Sequence, residues 1–255
     1  MTTFRPKLWT GVSAAVILAA GLAACSGEGG EGGEQGANTA AVAPAAGEGG
    51  EGGAEGGAGA GEAGAQAAYV GVPAESRVAL RLAHLEGFFL AAQKQTAGAE
   101  TAAVLIAQGM LEVFDAQPDA FRTAGLDEAV LRKAAETGST ADIAAAVAAI
   151  AAAQAKAGGD PKAVAKGMLA ITTGLYSGVV TADGVDPIEY QHSYGAALSA
   201  KRALDAAAKA HPELKAAQAD MDKLVAMWPA PEAPAAPTPV GQVSGQAARV
   251  ELALS

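Results

Sequence analysis

The stretch from residue 74 to residue 228 constrains the fold most. Apolar side chains recur there at three- and four-residue steps in an alanine-rich background, and no β-rich region interrupts them. Val78, Leu82, Leu85, Phe89 and Ala92 share one helical face, and Gly98 breaks the run. A second helix turns Val104, Ile106, Met110, Val113 and Phe114 inward before Pro118. Ser139 or Thr140 can cap the next, whose Ile143, Val147 and Ile150 form a narrow stripe. Asp160-Pro161 and Asp186-Pro187 each pair a capping aspartate with proline at the first helical position. Val164, Met168, Ile171 and Leu175 follow the first, and Tyr190, Tyr194, Leu198 and Leu204 the second. Leu214, Met221, Leu224 and Trp228 line the last. Short connections predict antiparallel neighbours, so the pattern predicts an all-α, up-and-down helical bundle over residues 69–228. Hydrophobic residues make up 51% of the chain but aromatic ones only 4%, so alanine supplies much of the total. Alanine favours helix and buries little area, which predicts thin, closely packed helices.

The flanks differ. Residues 26–68 hold seven glutamates, no lysine and no arginine, among glycine and alanine repeats without apolar periodicity. Glycine loses the most backbone freedom on ordering and the glutamates repel one another, so 25–68 reads as a disordered linker. Beyond Trp228, prolines at 229, 231, 234, 237 and 239 predict an extended Pro-rich tail over 229–255. Its last part, Arg249 to Leu254, alternates like an exposed strand. The net charge of −10 and the absence of a basic patch exclude a nucleic-acid partner, which would need clustered lysine and arginine. A lone cysteine rules out an internal disulfide, so the helical domain stands on packing alone.

That cysteine has a context. Arg5 and Lys7 precede an apolar run to Leu22, too short for the roughly twenty residues of a membrane span, and small residues follow. Residues 1–24 therefore read as a signal peptide. Leu22-Ala23-Ala24-Cys25 resembles the lipobox of bacterial lipoproteins. The resemblance implies that Cys25 becomes the mature N-terminus, carrying diacylglycerol and an amide-linked acyl chain such as palmitate. Two or more chains anchor stably where one does not. Ser26 follows, where family habit would place aspartate for inner-membrane retention. The implied location is the cell envelope, on the outer membrane facing the periplasm.

Candidate chemistry is sparse. Glu189 and His192 stand at i and i+3 on one helix face, a spacing that can place carboxylate and imidazole on one metal. Di-iron bundle proteins need two such motifs and two further glutamates, and here there is one motif. Glu189 is also placed to close a capping box behind Asp186, which would leave His192 at the surface. His84 and Glu86, two residues apart, splay across a helix and cannot chelate together. They reach a metal only if His84, Glu86, Glu189 and His192 meet from facing helices. Glu112, Asp115 and Asp119 form an acidic stripe that reads as a solvated face. Ala163, Gly167, Ala170, Gly174 and Gly178 form a small-residue stripe that reads as a tight helix contact. No serine–histidine–acid set with motif context, Cys/His cluster or phosphate-cradling loop is present, so no catalytic residue is assigned and no enzyme is expected.

Tyr176, Asp183-Gly184 and Glu189-Tyr190-Gln191, within 176–194, resemble a helix-loop-helix of exported helical domains associated with bacterial iron-permease systems. The paired-glutamate Arg-Glu-x-x-Glu motif of the permease itself is missing. The expected function is a membrane-anchored helical binding or scaffolding lipoprotein without catalysis or cofactor, with an envelope protein as partner. The alternative is a metal- or haem-handling protein linked to iron uptake, holding iron or another divalent metal through Glu189 and His192.

Overall fold

The computed structural model describes residues 66–255. The signal segment, Cys25 and nearly all of the linker lie outside the described residues. Helix begins by residue 66, and Ala68 and Tyr69 are already buried. The linker therefore ends short of residue 68, because these two side chains join the core.

The described chain is an all-α antiparallel bundle. It runs through α1 (Arg77–Lys94), α2 (Ala99–Gly109), α3 (Pro118–Thr123), α4 (Glu128–Thr137), α5 (Thr140–Ala157), α6 (Pro161–Tyr176), α7 (Pro187–Ala210), α8 (Lys215–Val225) and α9 (Val240–Ala253). A two-stranded ribbon, β1 (Val180–Thr181) against β2 (Gly184–Val185), turns the chain between α6 and α7. None of the described helices is long and apolar enough to cross a membrane.

Helix starts follow the side-chain chemistry. Ser139 Oγ accepts from Asp142 N–H at 3.1 Å, fixing the start of α5. Asp160 caps α6 through Lys162 and Ala163 N–H, and Asp186 caps α7 through Ile188 and Glu189 N–H. Each such cap contributes about 1 kcal/mol. The Asp186 N–H, which a capping box would offer to Glu189, donates to Val179 O instead (2.8 Å).

Helix α1 lies at the centre and packs on α2, α5, α6 and α7. It is buried almost all round from Ala79 to Ala92, as an enclosed helix must be. It meets α7 where Gly87 faces Gly195: a Cβ on Gly87 would lie 2.9 Å from the Gly195 carbonyl, and one on Gly195 would strike Gly87 O. Two glycines let the backbones approach at this point. Of the expected small-residue stripe, Gly167 is a tight contact, since Leu80 occupies the space its side chain would need.

Three expectations need correction. Val104 points outward (65% exposed), while Leu105, Ile106, Gly109 and Met110 are buried; a π-helical turn over Met110–Phe114 then shifts the face. The tail over 229–255 is not extended throughout, and its end is no strand. Val243, Ala247, Val250 and Leu254 fall at helical steps and bury against α8 and α6, whereas Leu252, which the alternating pattern would pair with them, is 78% exposed. Six alternating residues matched period two, but the longer register is helical. The proline-rich residues 229–239 are a strap with fixed contacts. Tyr176 Oη donates to Thr238 O (2.7 Å), Tyr190 Oη donates to Ala230 O (3.2 Å), and Thr96 donates to the Glu232 carboxylate. Trp228 anchors its start, 5.0 Å from the Tyr176 ring and stacked on Tyr194, with its indole N–H on Ser193 Oγ.

Candidate functional site

His84 and Glu86 both sit on the enclosed helix α1, and both are buried. Two residues apart, they face different neighbours, and each side is a separate polar cluster.

On the first side, Tyr69 Oη donates to His84 Nδ1 at 2.5 Å, and Arg81 lies over the Tyr69 ring. Burial, helped by Arg81, lowers the His84 pKa to about 4, so the imidazole is neutral and Nδ1 accepts. Burial pushes the Tyr69 hydroxyl well above its ordinary range, which keeps it a donor. Phe88 connects the histidines, its ring 5.7 Å from His84 and edge-on to His192 at 4.0 Å. His192 is buried at 6% exposure, which corrects the expected surface position. Burial, then His84, lowers its pKa to about 3. Glu112 Oε2 lies 3.4 Å from His192 Nε2, carried there by the π-helical turn, so it does not simply line a solvated face. Glu189 is buried on the same helix as His192.

On the second side, Glu86 looks toward α5 and α7. Arg202 Nη1 lies 3.0 Å from its Oε1, Gln154 Nε2 donates to Oε2 at 3.3 Å, and Ser199 Oγ approaches Oε2 at 3.4 Å. Ser199 gives its shortest bond to Ala83 O (2.6 Å). Burial raises the Glu86 pKa, opposed by Arg202, Gln154 and Ser199. The four expected metal ligands are thus not one set: Glu86 belongs with an arginine, not with His84. Among the described residues, no three His, Cys, Asp or Glu side chains gather in a way that could hold a metal ion.

Above Glu86 opens a cavity of ≈ 740 Å³ between α1, α5, α6 and α7. Its apolar walls are largely alanine: Ala79, Ala83, Ala151, Ala155, Ala203 and Ala206. Close packing, expected of so much alanine, therefore holds at the Gly87–Gly195 crossing and fails here. Facing alanine stripes with no large side chain between them leave space unfilled. The volume lies in the range of small-molecule pockets, and a few convergent polar groups in an apolar wall are their usual composition. Glu86 was within reach of sequence reasoning only as a metal ligand. Arg202, Gln154 and Ser199 were not, since they stand on other helices and nothing local in the sequence ties them to Glu86.

The fold and site define an all-α domain with an alanine-walled cavity and a buried carboxylate at its floor, paired with a half-exposed guanidinium. No protein-family model, curated protein or solved structure matches the chain.

Proposed function

We propose that this chain is a lipid-anchored binding protein of the bacterial cell envelope, held by Cys25 on the outer membrane, facing the periplasm and acting without catalysis. The observation that carries the binding role is the cavity above Glu86, large enough for a small molecule and furnished with a buried carboxylate paired to the half-exposed Arg202. The Leu22–Cys25 signature and the acidic linker support the anchor and the reach. If the linker read from the sequence behaves as a flexible coil, some forty residues at about 5–6 Å × √n would reach roughly 35 Å on average. An envelope protein that exchanges ligand with the domain is the partner this arrangement suits. The strap leaves less of the C-terminal region for docking than a loose tail would, since both tyrosine hydroxyls and Thr96 hold it.

Three measurements test this reading. Cys25→Ala should move the protein from the membrane to the soluble fraction; unchanged fractionation refutes the anchor. In a thermal-shift screen of small metabolites, ligands that stabilise the protein should lose their effect in Ala151→Phe, which puts a ring into the cavity. Stabilisation untouched by that variant refutes the pocket. Stoichiometric metal in the purified protein, lost in His192→Ala, would move the function to the histidine side and to the metal-handling alternative.

A further inference from the structure

We propose that the cavity takes a free α-amino acid with an aliphatic side chain, its ammonium on Glu86 and its carboxylate on Arg202. This rests on the reading of the chain as a binding protein and names the ligand class of that same cavity.

The argument begins with the ion pair. The Glu86 side chain is 2% exposed and that of Arg202 is 44% exposed, so the acid is fixed at the floor and the base reaches it from the open side. Glu86 Oε1 makes no hydrogen bond among the described residues, and Arg202 Nη1 approaches it at 3.0 Å as an ion pair. It is an acceptor that an N–H donor can satisfy. The guanidinium presents five N–H donors in a planar fork, and one nitrogen faces Glu86. The remaining donors can take a carboxylate, in the paired geometry that arginine favours.

A ligand of one sign fits badly. An amine inserted at Glu86 displaces Arg202 and leaves the guanidinium without its counter-charge. A carboxylate drawn to Arg202 strips Glu86 of its cation in a buried position, where an uncompensated charge is costly. A zwitterion supplies both partners at once and replaces one ion pair by two. Acceptor and donor stand 3.0 Å apart. That is close to the separation of ammonium and carboxylate carried on a single carbon. The alanine walls offer the rest of the ligand apolar contact without hydrogen-bonding groups, which suits an aliphatic side chain. Lys209 and Asp205 also line the cavity, a cation and an anion on the α7 side.

The test is isothermal titration of the full-length processed protein in mild detergent with three probes: L-leucine, 3-methylbutylamine and 4-methylpentanoate. Leucine should bind at least about tenfold more tightly than either single-charge analogue, since each lacks one charge-assisted contact. Glu86→Gln keeps the shape of the floor and should weaken leucine at least about tenfold; Arg202→Gln, at a half-exposed position, should do the same with the fold intact by circular dichroism. Equal binding of leucine and the amine, or of leucine and the acid, overturns the assignment. So does the failure of leucine, isoleucine and valine all to bind. A screening ligand lost in Ala151→Phe would then leave the pocket standing with another ligand class, whereas no ligand sensitive to Ala151→Phe removes the binding-protein reading itself.

Discussion

Gly195→Ala is the substitution whose sign the α1–α7 crossing decides. On helix propensity alone it should help, since glycine costs about 1 kcal/mol relative to alanine in a helix interior. At this position the new methyl meets Gly87 O, with Gly87 C at 2.7 Å and the Ala91 side chain at 3.3 Å. The obstructing atoms are backbone of a helix packed on four others, so relief means parting α1 from α7. Overpacking of this kind costs about 1–3 kcal/mol or more. Because the obstruction is backbone, the upper part of that range applies, about 2–3 kcal/mol, and less the propensity gain the net expectation is a loss of about 1–2 kcal/mol. At about 2–4 °C per kcal/mol for a domain of this size, the midpoint falls by roughly 2–8 °C. Gly245→Ala is the control: it lies within α9, and its Cβ would meet nothing within 4 Å. It should gain up to about 1 kcal/mol and melt roughly 2–4 °C higher. Thermal melts followed by circular dichroism at neutral pH read both variants. A Gly195→Ala protein that melts at or above wild type, in step with Gly245→Ala, refutes the claim that the crossing needs two glycines.

Three further outcomes follow from the buried polar groups and the strap. An unfolded histidine takes its proton near pH 6.5, whereas folded His84 waits until about pH 4 and His192 until about pH 3. The unfolded state therefore holds more protons between those values, and stability, fully present above pH 6.5, falls as pH drops through the window by at most about 1.4 kcal/mol per pH unit for each histidine; a His84→Gln/His192→Gln protein should show a flatter slope in urea titrations from pH 7 to pH 4, and an unchanged slope counts against burial as the cause. The Glu86 pKa is raised, so its charged form weakens the fold at neutral pH; Glu86→Gln should melt no lower than wild type at pH 7, with the difference closing as acid protonates Glu86. Tyr176→Phe removes the bond to Thr238 O and should cost about 1 kcal/mol, with faster proteolytic cleavage within 229–239; an unaltered cleavage rate would mean the hydroxyl does not hold the strap.

Helix position was legible wherever a local signal existed. Asp160-Pro161, Asp186-Pro187 and Ser139 are caps whose chemistry is complete within three residues, and each start falls where it should. Val104 was misplaced because the π-helical turn after Gly109 goes with a face that the regular period does not give. Arg249–Leu254 misled for a different reason: a six-residue window fits two periods, and only burial of Val243 and Ala247 earlier in the helix decides between them. The site was less legible still. Glu86 and Arg202 are separated by more than a hundred residues, and nothing local links them. The cavity itself is made of side chains that are missing, which a reading of the residues present does not register.

The strap has a spectroscopic consequence. The chain has two tryptophans, Trp9 and Trp228, so a protein processed at Cys25 would emit from Trp228 alone. That indole is buried, hydrogen-bonded to Ser193 and set between two tyrosine rings. Its fluorescence thus reports on the joint between strap and bundle at a single point, with tyrosines close enough to feed it excitation. Release of residues 229–239 would redden and dim this emission while the far-ultraviolet dichroism of the helices stayed the same, giving the molecule a built-in optical gauge of one seam.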